Sequence, residues 1–500
     1  MKAAELLGGL FPSRAIPSRE IFEVTENASR AGCDTVFVCI KGARADGHSF
    51  AADAYARGCR VFVAQERLNL PADACVLYTD DTRRTLSSLA CRLYGDPSRE
   101  MRLIGITGTK GKTTTAQLIR HILSRMGEPC GYIGTNGIAY ADVERSANNT
   151  TPDAMTLQKT LRAMCNKGVR TAVIEVSSQA LMQYRADGTR FETVVFTNLY
   201  NDHIGMHEHP SFTHYRDCKR RLFTDFGARL AIGNADDPAT HAMLRDNCAA
   251  HTVLCSTNGA ADYRADAITP YRTPETLGIS FTVTHGEARV DCRLPLMGRM
   301  NAENALLAIA AMVETFGYPL TSVVDALCDA HVAGRSEVIA LSNGACAVID
   351  YAHNGESLSQ LLISLREYTH DRLIVLFGSV GERTQTRRAE LGEAAARYAD
   401  LAILTSDNPA GEDPRAIIDE IAKAFEGYVT PHVAIPDRAE AIRYATDLCR
   451  AGDILVLAGK GHENYQLIGK EKIPFSEKEI LQKLYKKAPF SPCADKTLIP

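Results

Sequence analysis

The chain of 500 residues lacks the features that mark membrane, disulfide-bonded and nucleic-acid-binding proteins. No apolar run reaches the length of about 18 residues that a transmembrane helix needs. The 15 cysteines are an odd number and never form a Cys-x-x-Cys pair, which argues for reduced thiols rather than disulfides or a zinc ribbon. A net charge of -4 gives no electrostatic reason to expect a nucleic-acid partner.

Targeting signals and repeats are equally scarce. The segment Met1–Leu10 contains a short apolar patch interrupted by Glu5, without the sustained apolar stretch of a signal peptide. Internal repeats and low-complexity tracts are absent from the sequence. We therefore expect a cytoplasmic protein. A chain of this length suggests about three domains, each able to bury a core of its own.

The most informative stretch runs from Gly105 to Thr115 and reads Gly-Ile-Thr-Gly-Thr-Lys-Gly-Lys-Thr-Thr-Thr. It follows the apolar pair Leu103-Ile104 and precedes a segment, 116–126, whose apolar residues recur at helical spacing. A strand, a glycine-rich turn and a helix N-terminus together form an anion site, because backbone N–H groups point inward and the helix dipole favours negative charge. We predict a cradle for the phosphates of ATP, formed by Gly108, Thr109, Lys110, Gly111, Lys112, Thr113 and Thr114.

The loop departs from the full P-loop pattern. That pattern, GxxxxGK[ST], requires glycine at position 106, where this chain has Ile106. The match is therefore confined to the shortened form Gly108-x-x-Gly111-Lys112-Thr113. The alternative, an ordinary glycine turn before a helix, leaves the Lys-Thr pair and the flanking strand unexplained.

The distribution of apolar runs predicts an α/β protein with three domains. Residues 1–98 form a small α/β N-terminal domain. Residues 99–334 form a central domain with a P-loop ATPase-type parallel sheet and a β-rich portion around His285-Gly286. Residues 335–500 form a C-terminal, Rossmann-like domain, in which strands and helices alternate in a doubly wound pattern.

Strands and helices are predicted from periodicity and from apolar runs. The predicted strands are 35–40, 61–64, 171–176, 193–196, 279–283, 288–294, 346–349, 373–377, 401–404 and 454–458. The predicted helices are 50–57, 116–126, 212–226 and 301–316.

Three ionisable side chains are predicted to converge on the phosphate loop. A buried strand ends in Glu175, and a carboxylate one strand away from a P-loop is the usual ligand of Mg²⁺, which it shares with the Thr113 hydroxyl. The next strand is followed by His203, and a predicted helix carries Lys219. A lone histidine or lysine in such a position is more often structural, but three groups at one phosphate site favour a catalytic role.

The first domain carries a weaker signal. Ser29 and Arg30 precede its first predicted strand. An arginine with a hydroxyl neighbour is suited to hold a phosphate or a ribose. A serine–arginine pair of this kind more often belongs to an ordinary surface turn than to a binding site.

Taken in order, the motifs resemble those of the Mur ligase family, most closely its MurE type. They cover nearly the whole chain. The motifs are Gly108-Thr-x-Gly-Lys-Thr113, Asn149-Thr-Thr151-Pro, Glu175-Val-Ser-Ser178, Thr197-Asn-Leu with Asp202-His203, His214-Tyr with Lys219, Gly298-Arg-x-Asn301-x-x-Asn304, Gly334-Arg335-x-Glu337, Asp350-Tyr-Ala-His353, Asp407-Asn408-Pro409 and Gly459-Lys-Gly-His462-Glu463.

The resemblance implies an ATP-dependent amide ligase that adds the third amino acid of the peptidoglycan stem peptide. In that family the γ-phosphate of ATP is transferred to the free carboxylate of UDP-N-acetylmuramoyl-L-alanyl-D-glutamate, and the incoming amino group attacks the acyl phosphate. The implied cofactors are ATP and Mg²⁺, and the implied partners are the nucleotide-sugar dipeptide and an amino acid. We expect no nucleic acid, no membrane insertion and a monomeric chain.

The resemblance also implies a role for each matching residue. The catalytic set is Lys112, Glu175, His203 and Lys219. The metal ligands are Thr113, Glu175, His203 and Lys219, the last as a carbamate, which turns a cation into an anion that binds Mg²⁺. The adenine-reading pair is Asn301 and Asn304, spaced i and i+3 on one helix face. Further nucleotide contacts are assigned to Arg335, Asp350 and His353.

Two more sets of residues follow from the resemblance. The nucleotide-sugar substrate is assigned to Ser29, Arg30, Asn149, Thr150, Thr151, Ser177, Gln183 and Arg185. The amino-acid substrate is assigned to Arg383, Asp407, Asn408, Gly459 and Glu463.

Four positions depart from the family pattern, and one of them bears on specificity. Lys110, Gln179, Asn354-Gly355 and Ala410 stand where the family commonly has Asn, His, Thr-Pro and Arg. The first three departures remove no essential charge.

Members that add diaminopimelate read Asp-Asn-Pro-Arg, and the arginine is suited to pair with the distal carboxylate of the substrate. Its absence would cost diaminopimelate about 1.5–3 kcal/mol, or roughly 10- to 150-fold in affinity. Lysine has no distal carboxylate, and Asp407 and Glu463 are suited to accept its ammonium. We therefore favour L-lysine over meso-diaminopimelate. Arg383, Arg387 and Arg388 are close in sequence and are suited either to bind the α-carboxylate of the amino acid or to bind the distal carboxylate of diaminopimelate in place of the missing arginine. Ornithine stays open as well.

Two other interpretations of the sequence are less consistent with its motifs. A related amide ligase, such as a folylpolyglutamate synthetase-like or cell-wall-modifying paralogue, is disfavoured by residues 1–98, because folate ligases lack a separate domain before the phosphate loop. A non-catalytic ATP-binding paralogue is disfavoured because Lys112, Glu175, His203 and Lys219 are all present.

Overall fold

The computed structural model describes residues 1–485 except 13–15, 43–44, 148, 203, 206–207, 274–275, 333–336, 383–385 and 462. The chain divides into two compact units. The first comprises Met1–Asp266, Thr282–Cys292 and Met300–Leu327, and the second comprises Ala267–Phe281, Arg293–Arg299 and the chain from Cys328 on. The domain boundaries at 98/99 and 334/335 stay a prediction.

The first sheet lies in the N-terminal part of the first unit, and its described strands are all parallel. They are adjacent in chain order: β1 (Glu23–Thr25), β2 (Thr35–Val38), β3 (Val61–Ala64) and β4 (Cys75–Tyr78). The helices of this part are α1 (Ala3–Leu7), α2 (Ala51–Ala56) and α3 (Thr82–Leu93). The strands β2 and β3 are buried along their whole length, because alternate side chains enter separate hydrophobic clusters.

The second sheet carries the phosphate loop. Its strands are β5 (Arg102–Thr107), β6 (Cys130–Gly134), β7 (Gly137–Tyr140), β8 (Val143–Arg145), β9 (Thr171–Glu175), β10 (Thr193–Phe196), β11 (Leu230–Asn234), β12 (His251–Ser256), β13 (Tyr263–Arg272), β14 (Leu277–His285) and β15 (Ala288–Leu294). The helices are α4 (Lys112–Arg125), α5 (Ala154–Asn166), α6 (Ser178–Met182), α7 (Phe212–Thr224), α8 (Thr240–Leu244), α9 (Arg299–Phe316) and α10 (Leu320–Asp325).

The strand order of this sheet explains where a site forms. The order is β15-β14-β13-β12-β11-β10-β5-β9-β6-β7-β8, and β5 is parallel to both of its neighbours, β10 and β9. The carboxyl ends of these three strands therefore meet at one edge, where ligands bind in open α/β sheets.

The third sheet belongs to the second unit and is mostly parallel. Its order is β16-β17-β21-β18-β19-β20. The strands of this unit are β16 (Glu337–Ala340), β17 (Cys346–Asp350), β18 (Leu373–Phe377), β19 (Leu401–Leu404), β20 (His432–Ala434), β21 (Ile454–Ala458) and a hairpin of β22 (Tyr465–Ile468) and β23 (Glu471–Pro474). The helices are α11 (Gly355–Arg366), α12 (Thr386–Tyr398), α13 (Pro414–Ala422), α14 (Arg438–Leu448) and α15 (Glu477–Tyr485).

A buried ion pair fixes two strand ends of the second unit. Arg438 on α14 pairs with Glu477 on α15 at 2.8 Å, and both side chains are almost fully buried. The same guanidinium donates to the carbonyl oxygens of Ser406 and Ala458 at 3.1 and 2.8 Å. These bonds hold the segment after β19 beside the end of β21, where candidate site residues lie.

The predicted α/β class with three parallel-sheet parts is confirmed. Six strands have the predicted bounds: 61–64, 193–196, 288–294, 373–377, 401–404 and 454–458. The helix predicted from residue 116 begins earlier, at Lys112, because it starts directly after the phosphate loop. None of the helices in the described ranges combines the length and the hydropathy that crossing a bilayer requires.

Candidate active site

The phosphate loop connects β5 to α4. Gly108 and Gly111 have φ of +152° and +82°, which L side chains rarely adopt. A Cβ on Gly108 would lie 1.9 Å from the Thr197 hydroxyl oxygen, and a Cβ on Gly111 would lie 2.3 Å from the Asn304 side-chain oxygen. Both conformation and space therefore require glycine at these two positions.

The segment that follows β10 holds the loop in shape. The backbone N–H of Thr109 donates to the carbonyl oxygen of Asn198 at 2.9 Å, and that of Lys110 donates to the Asn198 side chain at 2.8 Å. The Thr197 hydroxyl donates to the Lys110 carbonyl oxygen at 2.6 Å. The predicted motif contained Thr197 and Asn198, but sequence reasoning gave them no role.

Two lysines converge on one loop carbonyl. The Lys112 ammonium lies 2.8 Å from the Gly108 carbonyl oxygen and 2.9 Å from that of Thr109. The Lys219 side chain, from α7, also lies 2.8 Å from the Gly108 oxygen and is buried. Burial, followed by repulsion from Lys112, holds the pKa of Lys219 well below its usual range. The structure thus brings both predicted lysines to the phosphate loop and favours the neutral amine at Lys219.

Glu175, at the end of β9, occupies the centre of the site and is fully buried. Its carboxylate accepts hydrogen bonds from the Thr113 hydroxyl at 3.0 Å, the Tyr132 hydroxyl at 2.5 Å and the Thr135 hydroxyl and N–H at 3.0 and 3.2 Å. These donors are all neutral, and no residue in the described ranges forms an ion pair with Glu175. We call Thr113, Tyr132, Thr135 and Glu175 the Glu175 cluster.

Tyr132 and Thr135 are site residues that sequence reasoning missed. Tyr132 belongs to β6, and burial together with the adjacent Glu175 raises the pKa of its phenol, so it keeps its proton as a donor. Next to it, a Cβ on Gly134 would lie 2.3 Å from a Glu175 carboxylate oxygen, so the close approach depends on glycine. No local motif marks these residues.

The predicted adenine pair lies beside the loop. Asn304 on α9 is buried, and it accepts a hydrogen bond from the Thr115 hydroxyl at 3.3 Å. Its amide donates to the Asn301 side-chain oxygen at 3.2 Å. The structure therefore brings both asparagines to the first turn of α4.

Part of the predicted nucleotide-sugar set is continuous with the Glu175 cluster. The Thr151 hydroxyl donates to the Glu175 carbonyl oxygen at 2.7 Å and accepts from the Ser177 N–H at 3.0 Å. Arg185 donates to the Thr151 carbonyl oxygen and to the Gln183 side chain, both at 2.8 Å. The Thr150 hydroxyl lies 3.2 Å from that of Thr135.

The remaining members of that set have local contacts. Ser29 donates to the Asn27 side chain through its N–H at 2.9 Å and its hydroxyl at 2.8 Å. Arg30 forms an exposed ion pair with Glu23 at 2.5 Å. Asn149 is exposed.

In the second unit, a buried lysine organises the predicted amino-acid residues. The Lys460 ammonium lies 3.4 Å from Asp407, 3.0 Å from the Asn408 side-chain oxygen and 3.1 Å from Glu463. The Asn408 amide donates to Glu463 at 3.0 Å, and a Cβ on Gly459 would lie 2.9 Å from an Asp407 carboxylate oxygen. The structure thus brings these four predicted residues together around Lys460, to which sequence reasoning assigned no role.

One predicted nucleotide residue contacts this group. The N–H of Gly459 donates to the Asp350 carbonyl oxygen at 3.2 Å, which joins the ends of β21 and β17. A second predicted nucleotide residue, His353, has a local contact: one of its ring nitrogens lies 2.8 Å from the carbonyl oxygen of Tyr351. His203, Arg335 and Arg383, also predicted as site residues, lie outside the described residues.

Arg387 and Arg388, two of the arginines considered for binding a substrate carboxylate, differ in whether they already form ion pairs with other described residues. Arg388 is buried and ion-paired with Glu412 at 2.6 Å and Glu420 at 2.8 Å, so its guanidinium already holds two carboxylates. A substrate-binding role for Arg388 is therefore disfavoured. Arg387 is only partly buried.

A glycine-rich phosphate loop on a parallel sheet, a buried carboxylate beside it and a second doubly wound unit with a cluster of charged side chains are typical of ATP-dependent amide ligases. Models of known families agree with this class. The Mur ligase middle domain matches residues 106–312, and the Mur ligase glutamate ligase domain matches residues 334–461. The chain belongs to the Mur ligase family and to its MurE type.

Individual relatives agree over nearly the full length. The UDP-N-acetylmuramoyl-L-alanyl-D-glutamate–2,6-diaminopimelate ligase of Geobacillus kaustophilus is 36% identical over 469 residues, which cover 92% of this chain and 94% of the relative. A solved structure of a ligase with the same name has a TM-score of 0.75 at 28% identity and covers 97% of this chain and 99% of its own. The ADP complex of Mycobacterium tuberculosis folylpolyglutamate synthase shares the fold, with a TM-score of 0.59 at 18% identity over 76% of this chain and 92% of its own.

Gly111→Ala should weaken ATP binding at least about tenfold, which corresponds to about 1.4 kcal/mol. The added methyl would lie 2.3 Å from the Asn304 side-chain oxygen, so either Asn304 or the loop must shift. The measurement is titration calorimetry with a non-hydrolysable ATP analogue.

Gly127→Ala is the matched control, because Gly127 also has a positive φ, of +77°, but a Cβ there meets nothing within 4 Å. This variant should lose about 1 kcal/mol of stability and keep its affinity for the analogue. Equal affinities for the two variants would show that the space above Gly111 does not matter for the nucleotide.

Proposed function

We propose that the chain uses ATP and Mg²⁺ to join a diamino acid to the D-glutamyl carboxylate of UDP-N-acetylmuramoyl-L-alanyl-D-glutamate, as a step of peptidoglycan biosynthesis. The observation that carries the proposal is the Glu175 cluster, in which a buried carboxylate lies 3.0 Å from the Thr113 hydroxyl at the start of α4. The names of full-length relatives support the substrate class.

The composition of the Glu175 cluster suits a magnesium ion. A fully buried carboxylate with four neutral donors has charge to share with a cation, and carboxylate and hydroxyl oxygens are ligands that Mg²⁺ prefers. Thr113, Glu175, His203 and a carbamate of Lys219 would hold the ion. When bound beside the phosphates, such an ion neutralises the charge that develops during phosphoryl transfer.

The ligation divides into two displacements. An oxygen of the D-glutamyl carboxylate attacks the γ-phosphorus of ATP, and ADP leaves. The neutral amino group of the amino acid then attacks the carbonyl carbon of the acyl phosphate, phosphate leaves with the former carboxylate oxygen, and the amine loses its proton. Lys112 and the loop N–H groups, fixed before the reaction, stabilise the charge on the phosphates during the first displacement.

Carbamylation of Lys219 would complete the site. The neutral amine attacks carbon dioxide, and a carbamate forms with release of one proton. Burial and the neighbouring Lys112 lower the pKa of Lys219, which favours the required neutral form. The product is an anion at the phosphate loop, where a cation would repel Mg²⁺.

Lys219→Ala should abolish ligation, and short-chain carboxylates such as acetate or propionate should restore part of it, because they supply the missing anion. Phosphate release measures the activity. Lys112→Ala is the control: it should also lose activity, but carboxylates should not rescue it, since it lacks a cation. Full activity of Lys219→Ala, or loss without any rescue, would contradict a carbamate.

Each part of the chain is assigned one substrate. Residues 1–98, with Ser29 and Arg30, and the group around Thr151, Ser177, Gln183 and Arg185 take the nucleotide sugar. Residues 99–334 take ATP. Residues 335–500 take the amino acid. We assign the reaction to the cytoplasm, where ATP is available, and to a monomer.

The amino acid that fits the second unit best is L-lysine. Asp407 and Glu463 supply two carboxylates against the single ammonium of Lys460, which leaves charge for the distal ammonium of a substrate. Ala410, which stands where an arginine would grip a second carboxylate, offers no charge, and Arg388 is already paired with two glutamates. The second candidate is meso-diaminopimelate, which the names of the relatives favour.

An assay of phosphate release with ATP, Mg²⁺ and the UDP-muramoyl dipeptide should show turnover with L-lysine and roughly 10- to 150-fold less efficient use of meso-diaminopimelate, because no arginine at 410 binds the distal carboxylate. L-ornithine is the third substrate to offer. Turnover with diaminopimelate alone would contradict the role given to Ala410.

Ala410→Arg and Ala410→Gln make a matched pair for the same assay. Arginine supplies the cation, whereas glutamine adds a polar side chain without charge. Only the arginine variant should gain activity with diaminopimelate. An equal gain in both variants would assign the effect to side-chain size.

A further inference from the structure

A group of three side chains that bind transition metals lies outside the Glu175 cluster. His209, His214 and Cys218 are the members, and we call them the His-His-Cys cluster. Their potential ligand atoms all lie within 4.8 Å of one another. His209 is fully buried and Cys218 nearly so, whereas His214 is partly exposed.

The distances in this cluster approach those of a tetrahedral metal site. The Nδ1 atoms of His209 and His214 are 3.0 Å apart, and the Cys218 sulfur lies 3.7 Å from Nδ1 of His214. With metal–nitrogen and metal–sulfur distances of about 2.0 and 2.3 Å, a tetrahedral zinc site has N···N of about 3.3 Å and N···S of about 3.6 Å. The Cys218 sulfur also lies 3.8 Å from Nε2 of His214, so the imidazole of His214 must rotate to direct Nδ1 at a shared cation.

Secondary structure presents two of the ligands, and a hydrogen bond orients the third. His214 and Cys218 are spaced i and i+4 on α7, so they project from one face of the helix. The Nε2 atom of His209 lies 2.9 Å from the Ser178 hydroxyl at the start of α6. A polar partner of this kind on the second ring nitrogen fixes the tautomer that turns Nδ1 towards a metal.

We propose that His209, His214 and Cys218 bind one zinc-class divalent cation, with a water as the fourth ligand. Thiolate and imidazole ligands select such cations over Mg²⁺, so the site is chemically distinct from the Glu175 cluster. The Cys218 thiol gives its proton to solvent when the cation binds.

A cation bound at this site would restrain α7, the helix whose side chains contact the phosphate loop. Two of its ligands flank Tyr215, whose hydroxyl lies 3.0 Å from that of Thr109. Cys218 is followed directly by Lys219, which contacts the Gly108 carbonyl oxygen at 2.8 Å. The cation would tie α7 to His209, and through Ser178 to α6. We expect it to stabilise the fold whichever amino acid the enzyme adds.

Cobalt titration of the full chain tests the site. The protein is prepared without an affinity tag, reduced and freed of metal, and Co²⁺ is added in the presence of excess Mg²⁺. One equivalent should produce a thiolate-to-cobalt charge-transfer band, and Zn²⁺ should abolish it by displacement. Cobalt bound at the oxygen ligands of the Glu175 cluster gives no such band, so the two sites are distinguishable.

Substitutions at single residues identify the thiol and the imidazole that bind the cobalt ion. Cys218→Ser should remove the band, and His214→Ala should weaken cobalt binding by about tenfold or more. Cys248→Ser, at an exposed cysteine, should leave the band unchanged. Zinc should raise the melting temperature of the parent chain and of Cys248→Ser but not that of the other two variants.

A band that persists in Cys218→Ser, or the absence of any band in the parent chain, would overturn the proposal. Melting of the metal-free variants shows whether each has folded. If Cys218→Ser does not fold, His214→Ala decides, because this partly exposed side chain is removed with less disturbance of the core. Full-strength cobalt binding in His214→Ala would then refute the site.

Discussion

The first unit depends on a buried carboxylate whose hydrogen-bond donors are all neutral. Leaving a carboxylate unpaired in a protein interior is costly, and four donors offset only part of that cost for Glu175. The donors come from the start of α4, from β6 and from the residue that follows it, so the strand order of the sheet and the glycine at 134 both serve this one group. A site that retains unshared negative charge beside a phosphate loop is suited to hold a metal ion together with phosphate.

The charge pattern of the second unit is the reverse of that at the phosphate loop. At the loop, two lysines meet one carbonyl oxygen, an arrangement that suits a polyanion such as ATP. Around Lys460, two carboxylates and an amide surround one ammonium, which leaves negative charge for a cationic substrate. The two groups of residues therefore differ in the sign of the charge that predominates, positive at the loop carbonyl and negative around Lys460.

Local sequence patterns predicted the parts of the site that depend on neighbouring residues. The phosphate loop, the strands beside it and the position of Glu175 at a strand end all follow from short motifs and apolar runs. Tyr132 escaped prediction because its partner, Glu175, lies 43 residues away along the chain, and no local pattern records that contact. Lys460 was missed for the same reason, since its role emerges only when Asp407 and Glu463 are brought to it.

Tertiary contacts also decide the roles of residues for which the sequence suggested a function or a spacing. Arg388 was a candidate to bind a substrate carboxylate because it lies close in sequence to Arg383. In the structure, however, it forms ion pairs with Glu412 and Glu420. In the His-His-Cys cluster, the spacing of His214 and Cys218 on α7 can be read from the sequence. The approach of His209 to this pair depends on the fold.

Isotope transfer tests the central claim, that ATP activates the D-glutamyl carboxylate as an acyl phosphate, most directly. The UDP-muramoyl dipeptide is labelled with ¹⁸O in that carboxylate, and the released phosphate is examined by mass spectrometry after a single turnover with the amino acid. The account predicts one labelled oxygen in each phosphate, because the carboxylate oxygen leaves with it. Unlabelled phosphate accompanied by amide formation would contradict the account.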